Sequence, residues 1–197
     1  MCSSDLGAVV FLSAADTDLA LITAAQEARL ADTPDAPSLR AANLMQLQHP
    51  MSVDLYLERV VRHARVVVVR LLGGKAYWSY GVEQLVVACQ ASGAALALLP
   101  GDDRPDAELR GWSNLDAATY DGLWALLGQG GAVNARAFVD ALGALAASVM
   151  AVGSIAYAVL QTVGSAYILF VMSGGAIPVW LGVVLVLACI AVYLCAS

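Results

Sequence analysis

Formal charge is absent from the last part of this 197-residue chain: every Asp, Glu, Lys and Arg lies at or before Asp140, and Ala141 to Ser197 carries none. That gap argues against an ordinary soluble domain throughout. Charged residues make up 13% of the chain and apolar residues 60%, where soluble chains have about 25% and about 45–50%. Basic residues are scarce, ten in all, and form no run or stripe, so with a net charge of −6 a nucleic-acid partner is disfavoured. Cysteine is scarce too. Cys2, Cys89, Cys189 and Cys195 form no CxxC pair and no Cys/His cluster, which leaves neither a zinc site nor a disulfide framework to read. Met1 to Gly7 lacks the basic start of a secretory leader, and Asp16 and Asp18 interrupt the apolar stretch behind it, so a cytoplasmic compartment is expected for the charged part. No Ser/His/Asp or Cys/His arrangement is legible, and GxxxxGK[ST] does not occur, so neither an independent hydrolase nor a P-loop ATPase is expected. The apolar content excludes intrinsic disorder.

Between Gly7 and Leu145, short apolar runs alternate with helical stretches. Ala8–Leu12 reads as a buried strand, and Asp16 to Leu30 follows with Leu19, Ile22 and Ala25 at helical spacing. A Pro- and Asp-rich loop leads to a second strand over Ser38–Leu44, then to a helix capped by Ser52 and running to His63. Arg65–Leu71 is the strongest strand, because four consecutive valines suit a strand buried on both faces, and it should be central. Gly73-Gly74 ends it, Tyr80 to Ser92 forms the next helix, and Ala94–Leu99 is a fourth strand stopped by Pro100-Gly101. Helices over Asp116–Leu127 and from about Asn134 follow, broken by Gly128-Gln129-Gly130-Gly131. This order predicts an α/β fold with a doubly wound, mostly parallel sheet of the flavodoxin/Rossmann-like kind.

The uncharged tail predicts a two-helix transmembrane hairpin, with spans over Val149–Met172 and Ala176–Cys195 joined by Ser173-Gly174-Gly175. No ionisable group lies in either span, so a proton relay or charged transport path is disfavoured. The expected organisation is therefore a non-native leader over residues 1–6, an α/β domain over 7–145 and a hydrophobic helical hairpin over 146–197, with membrane association through 149–195 if the tail is genuine.

Three stretches then become specific. Val10-Phe11-Leu12-Ser13-Ala14-Ala15-Asp16-Thr17, the segment Asn43 to Tyr56 containing Gln46-Leu47-Gln48-His49-Pro50, and above all Val69-Arg70-Leu71-Leu72-Gly73-Gly74-Lys75-Ala76-Tyr77-Trp78-Ser79-Tyr80-Gly81-Val82-Glu83 resemble the N-terminal region of the cobaltochelatase large-subunit family (CobN), which is related to the large subunit of magnesium chelatase. Leu99 to Asp106 fits the same pattern, and the similarity runs over about residues 8–145. Ser79 departs from it, standing where the family would have Pro between two aromatics. The resemblance implies a part in ATP-dependent insertion of cobalt, a substrate metal, into the corrin precursor hydrogenobyrinic acid a,c-diamide during cobalamin biosynthesis. It also implies partner subunits that include an AAA+ ATPase, which would be the source of ATP hydrolysis. Family members are many times longer, so a fragment inactive on its own is expected. Two other readings stand beside it: a noncatalytic membrane-tethered α/β interaction module, and a chimera of a chelatase fragment with a small membrane protein.

In an open α/β sheet, ligands bind beyond the carboxyl ends of the strands. The loops there carry Asp16, Asn43 and His49, then Gly73, Gly74, Lys75, Tyr77, Trp78 and Tyr80, and finally Asp102, Asp103 and Arg104. Tyr77, Trp78 and Tyr80 offer flat faces to a macrocycle, Lys75 and Arg104 suit peripheral carboxylates, and Gly73-Gly74 permits close backbone approach. Core packing is the competing explanation for the aromatics. His49 supplies one potential metal ligand without a partner at ligand spacing, and turn chemistry competes for Asp102-Asp103, so the metal ligands stay unassigned.

Overall fold

The structure is a computed structural model that describes residues 7–172, 178–181, 183, 184 and 187. Its strands are β1 (Val9–Ser13), β2 (Leu39–Asn43), β3 (Val66–Leu71) and β4 (Ala95–Pro100). The helices are α1 (Asp16–Asp32), α2 (Pro50–Arg59), α3 (Ser79–Ser92), α4 (Ala107–Trp112), α5 (Ala117–Gln129) and α6 (Gly131–Met172). The strands form one parallel sheet in the order β2-β1-β3-β4. Val9 stands opposite Leu39 on one side and Val66 on the other, and Val66 stands opposite Ala95. The expected doubly wound α/β domain is present, with β3 inside the sheet.

Alternation along each strand divides the core between two faces. Val10, Leu12, Val67, Val69, Leu96 and Leu98 point to the side covered by α2, α3 and α4, where they meet Val53, Val82, Leu85 and Leu109. Val9, Phe11, Val66, Val68, Ala97 and Leu99 point to the side covered by α1, α5 and α6, where they meet Ile22, Leu123 and Phe138. A strand covered on both faces has no polar face, which is why the valine run of β3 is unbroken.

The free edge of β4 is occupied by the segment after α4. Leu96 N donates to Asn114 Oδ1 at 2.6 Å, Leu98 N donates to Ser113 Oγ at 2.9 Å, and Asn114 N returns a bond to the Leu96 carbonyl at 3.1 Å. Side-chain oxygens thus satisfy donors that a fifth strand would otherwise take, and they blunt an edge open to pairing.

Three expectations need correction. The cap of α2 is His49, not Ser52: Pro50 occupies the first helical position, where a missing N–H costs nothing, so the helix starts earlier. That helix ends at Arg59, and Val61–His63 is a separate 3-10 turn. The short helix α4, which lies between the expected fourth strand and the Asp116 helix, is additional.

The chain divides into two units, Met1–Val149 and Met150–Ser197. The expected edge of the α/β domain near Leu145 falls inside α6, which is one unbroken helix through Met172. Leu142 and Ala146, the former just beyond the last charge, are fully buried in the sheet's core. Among the described residues, the stretch long and apolar enough to cross a membrane is Gly131–Ala151, which carries Arg136 and Asp140 and buries Ala135, Phe138, Val139, Leu142 and Ala146 in the core of the first unit. The expected first span, Val149–Met172, is helical as the continuation of α6. Its Tyr157–Met172 stretch is apolar. The joining turn Ser173-Gly174-Gly175 lies outside the described residues, as does most of Ala176–Cys195.

Candidate functional site at the carboxyl edge of the sheet

The strands β1 and β3 are where the winding reverses: α1 leaves β1 on one face, while α2 and α3 cover the other. The crevice beyond such a pair is the usual ligand position in open sheets. Here it is filled from within. Arg70, at the end of β3, pairs with Asp18 at 2.7 Å and donates to the Gly101 carbonyl at 3.1 Å. Ser13 Oγ donates to the other Asp18 oxygen at 2.8 Å and accepts from Ala15 N at 3.1 Å. Both partners of the ion pair are largely buried, with side-chain exposures of 17% and 16%. None of these three residues is among those expected from the loop positions. The available signal was a charge directly after four valines, a place where an unpaired arginine would be costly.

The expected residues surround this plug in three groups. At the β1/β2 end, Asn43 Nδ2 donates to Asp16 Oδ1 at 2.6 Å, and Asn43 Oδ1 accepts from Met45 N at 2.8 Å. Beside it, two 3-10 turns, Leu44–Leu47 and Lys75–Trp78, are tied together. The indole N–H of Trp78 donates to the Leu47 carbonyl at 2.7 Å, and the Tyr77 hydroxyl lies 3.2 Å from Met45 Sδ. Tyr80 donates to Asp54 Oδ1 at 2.8 Å, and that bond, before the smaller effect of burial, raises the pKa of its hydroxyl. In the third group Lys75 pairs with Glu83 at 3.2 Å and lies over the Trp112 ring at 4.2 Å.

The geometry sorts these residues by role. Trp78 belongs to the core: it is 7% exposed, and Gly81, three residues later, leaves space that a β-carbon would take from its ring. It is not a free face for a ligand, whereas Tyr77 and Tyr80 remain exposed. Gly73 and Gly74 have φ of +85° and +72°, and a β-carbon at Gly74 would meet Asp106 Oδ2, so both glycines serve the turn itself. Asp102, Asp103 and Arg104 lie exposed after β4. The capping role there falls to Asp106, whose carboxylate accepts from Glu108 N and Leu109 N. Among the described residues, no three His, Cys, Asp or Glu side chains gather as a metal site.

His49 uses Nδ1 to accept the N–H of Met51 at 3.2 Å, which makes it a helix cap with Nε2 carrying the ring proton. Replacing His49 by Ala is expected to cost about 1 kcal/mol in urea unfolding, and His49→Asn should restore most of it, as a cap would. Failure of Asn to rescue would show that the imidazole itself is required.

A stretch of 134 residues, 68% of the chain, is 51% identical to the aerobic cobaltochelatase subunit CobN of Pseudomonas aeruginosa. The resemblance to CobN is therefore established. A CobN subunit from a Sinorhizobium species is 47% identical over 137 residues, 70% of the chain. Among solved structures, the catalytic subunit of cobaltochelatase from Mycobacterium tuberculosis matches 69% of the chain with a TM-score of 0.54 and 28% identity. The chain spans about 10% of the length of each of these proteins. No family model matches it.

Proposed function

We propose that this chain is the opening part of a cobaltochelatase large subunit. In this reading it takes part in ATP-dependent insertion of cobalt into hydrogenobyrinic acid a,c-diamide during cobalamin biosynthesis, and it is inactive alone. The observation that carries the proposal is the 51% identity to CobN over 134 residues. Cobalt handling is assigned to the remaining nine-tenths of the subunit, and ATP hydrolysis to an AAA+ partner. The carboxyl edge is assigned to contact with the macrocycle or with the wall around it. Exposed Tyr77 and Tyr80 offer ring faces, exposed Arg104 suits a peripheral carboxylate, Lys75 would take one in exchange for Glu83, and Asp16, Asn43, Asp102 and Asp103 supply polar contacts.

The test is a chimera in which residues 7–149 replace the matching segment of Pseudomonas aeruginosa CobN, assayed with its partner subunits, ATP, cobalt and corrin precursor. Cobalt insertion should persist in the chimera and be absent with the 197-residue chain alone. A folded chimera without activity, or chelation by the short chain, would overturn the reading.

A second reading, a noncatalytic membrane-tethered α/β module, is favoured by the exposed Tyr157, Leu160, Val163, Tyr167 and Val171 along the later part of α6. It places the α/β domain in the cytoplasm with the tail in the membrane. Flotation of the chain with phosphatidylcholine vesicles, together with an inactive chimera, would select it.

A further inference from the structure

The Arg70–Asp18 ion pair that closes the crevice between β1 and β3 also borders a hollow of about 190 Å³ on the side of the sheet covered by α1, α5 and α6. Apolar residues from those three helices, among them Leu21, Leu126 and Ala135, form most of the remaining wall. Arg70 and Asp18 are the charged groups in it.

The pair has hydrogen-bonding capacity left over. A guanidinium carries five N–H donors. Arg70 gives one Nη1 bond to Asp18 and one Nη2 bond to the Gly101 carbonyl, while its Nε is buried with no hydrogen-bond partner among the described residues. The Asp18 oxygens accept one bond each, from Arg70 and from Ser13, where a carboxylate offers about four lone-pair sites. A group entering the hollow therefore meets a donor and an acceptor side by side in a largely dehydrated setting, where hydrogen bonds are stronger than in water.

Charge restricts what can enter. A carboxylate would face Asp18 and an ammonium would face Arg70, each a like charge held out of water. A neutral group with an acceptor and a donor on neighbouring atoms suits both partners, and that is the chemistry of a primary carboxamide. The size suits one such arm with its alkyl stem, because pockets for whole drug-sized ligands run from about 300 to 1,000 Å³. The hollow after β4, about 240 Å³, lacks this setting, since its ion pair of Arg110 with Asp121 is half exposed.

We propose that the hollow beside Arg70 and Asp18 binds a primary carboxamide, whose carbonyl accepts from Arg70 and whose amino group donates to Asp18. A free small amide and a carboxamide arm of the corrin precursor present the same group. The second source rests on the functional reading above, and the site itself does not.

The site is tested by nuclear magnetic resonance on the full 197-residue chain, labelled with nitrogen-15 in mild detergent. The buried Arg70 Nε–H, assigned by through-bond correlation, reports on the guanidinium. Titration with propionamide should move this signal to saturation, and propionate should bind roughly tenfold more weakly. Ala135→Leu and Leu126→Phe fill the hollow from α6 and α5, and each should weaken propionamide binding roughly tenfold. Leu126→Phe, at a half-buried position, keeps the test open if Ala135→Leu does not fold. Val87→Ser on α3 should leave binding unchanged. No response to propionamide, equal binding of propionate, or an undiminished response in the folded filling variants would overturn the proposal.

The source is read in the CobN chimera. A raised KM for the corrin precursor in the Ala135→Leu or Leu126→Phe chimera, with kcat unchanged, assigns the site to an arm of the macrocycle. An unchanged KM beside intact propionamide binding assigns it to a free amide and leaves the functional reading standing. A folded but inactive unaltered chimera removes that reading and the macrocycle with it, while propionamide binding still decides the site.

Discussion

Replacing Phe138 by alanine is expected to cost about 3–5 kcal/mol, a large share of the roughly 5–15 kcal/mol that holds a domain folded. Phe138 is fully buried and meets Phe11 of the inner strand β1 edge to face, with ring centroids 5.9 Å apart and planes at 79°. Truncation removes apolar burial, leaves a cavity against a rigid sheet and loses the aromatic pair, worth about 0.5–1.5 kcal/mol beyond its area. Urea unfolding followed by circular dichroism should show the midpoint falling sharply with little change in slope. A loss below about 1 kcal/mol would mean that the start of α6 does not complete this core. The same argument predicts that a chain ending at Gly130 will not fold, because Phe11, Val66 and Val68 would lose the cover of Phe138, Val139 and Leu142.

That dependence explains where the sequence was legible and where it was not. Burial on both faces removes polar alternation from a parallel strand, so Val66–Val69 announces itself locally, and the four βα units follow in order. The domain edge is different. Charge ends at Asp140, yet Leu142 and Ala146 on the next turns of α6 still face the sheet, so the last charge does not mark the end of the core. Short elements escaped for another reason. The six-residue α4 is too brief to show a helical period, and the use of Ser113 and Asn114 against β4 depends on tertiary proximity.

At the site, loop position placed Asp16 beside Asn43 and brought the turns around Met45 and Tyr77 together, but it could not tell an inward aromatic from an outward one. For Trp78 the distinguishing residue was Gly81, whose missing side chain makes room for the indole. For His49 it was Pro50, which marks the first helical position and makes the preceding residue the cap.

The plug at the winding reversal carries the second large effect. Arg70→Met is expected to destabilise the domain by about 3 kcal/mol, because it leaves the Asp18 carboxylate in a largely buried position with Ser13 as its remaining side-chain partner. Asp18→Asn should cost less, about 1.5–3 kcal/mol, since an amide can still accept the bond from Ser13. The pair is the source of both losses only if they overlap. A double variant, Asp18→Leu with Arg70→Met, removes both charges and offers apolar groups to neighbours that include Leu21, Ile22 and Leu126, so its cost should fall well below the sum of the single changes. A double-mutant cycle by urea unfolding, with Asp18→Leu alone as its fourth corner, measures that overlap directly. Strict additivity would show that Arg70 and Asp18 act separately, and that the crevice is not closed by their pairing. With the plug confirmed, the double variant introduced into the CobN chimera distinguishes the two sides of the carboxyl edge. An unchanged KM for the corrin precursor would place contact on the outer surface near Tyr77 and Tyr80, and a raised KM would place it in the crevice between β1 and β3.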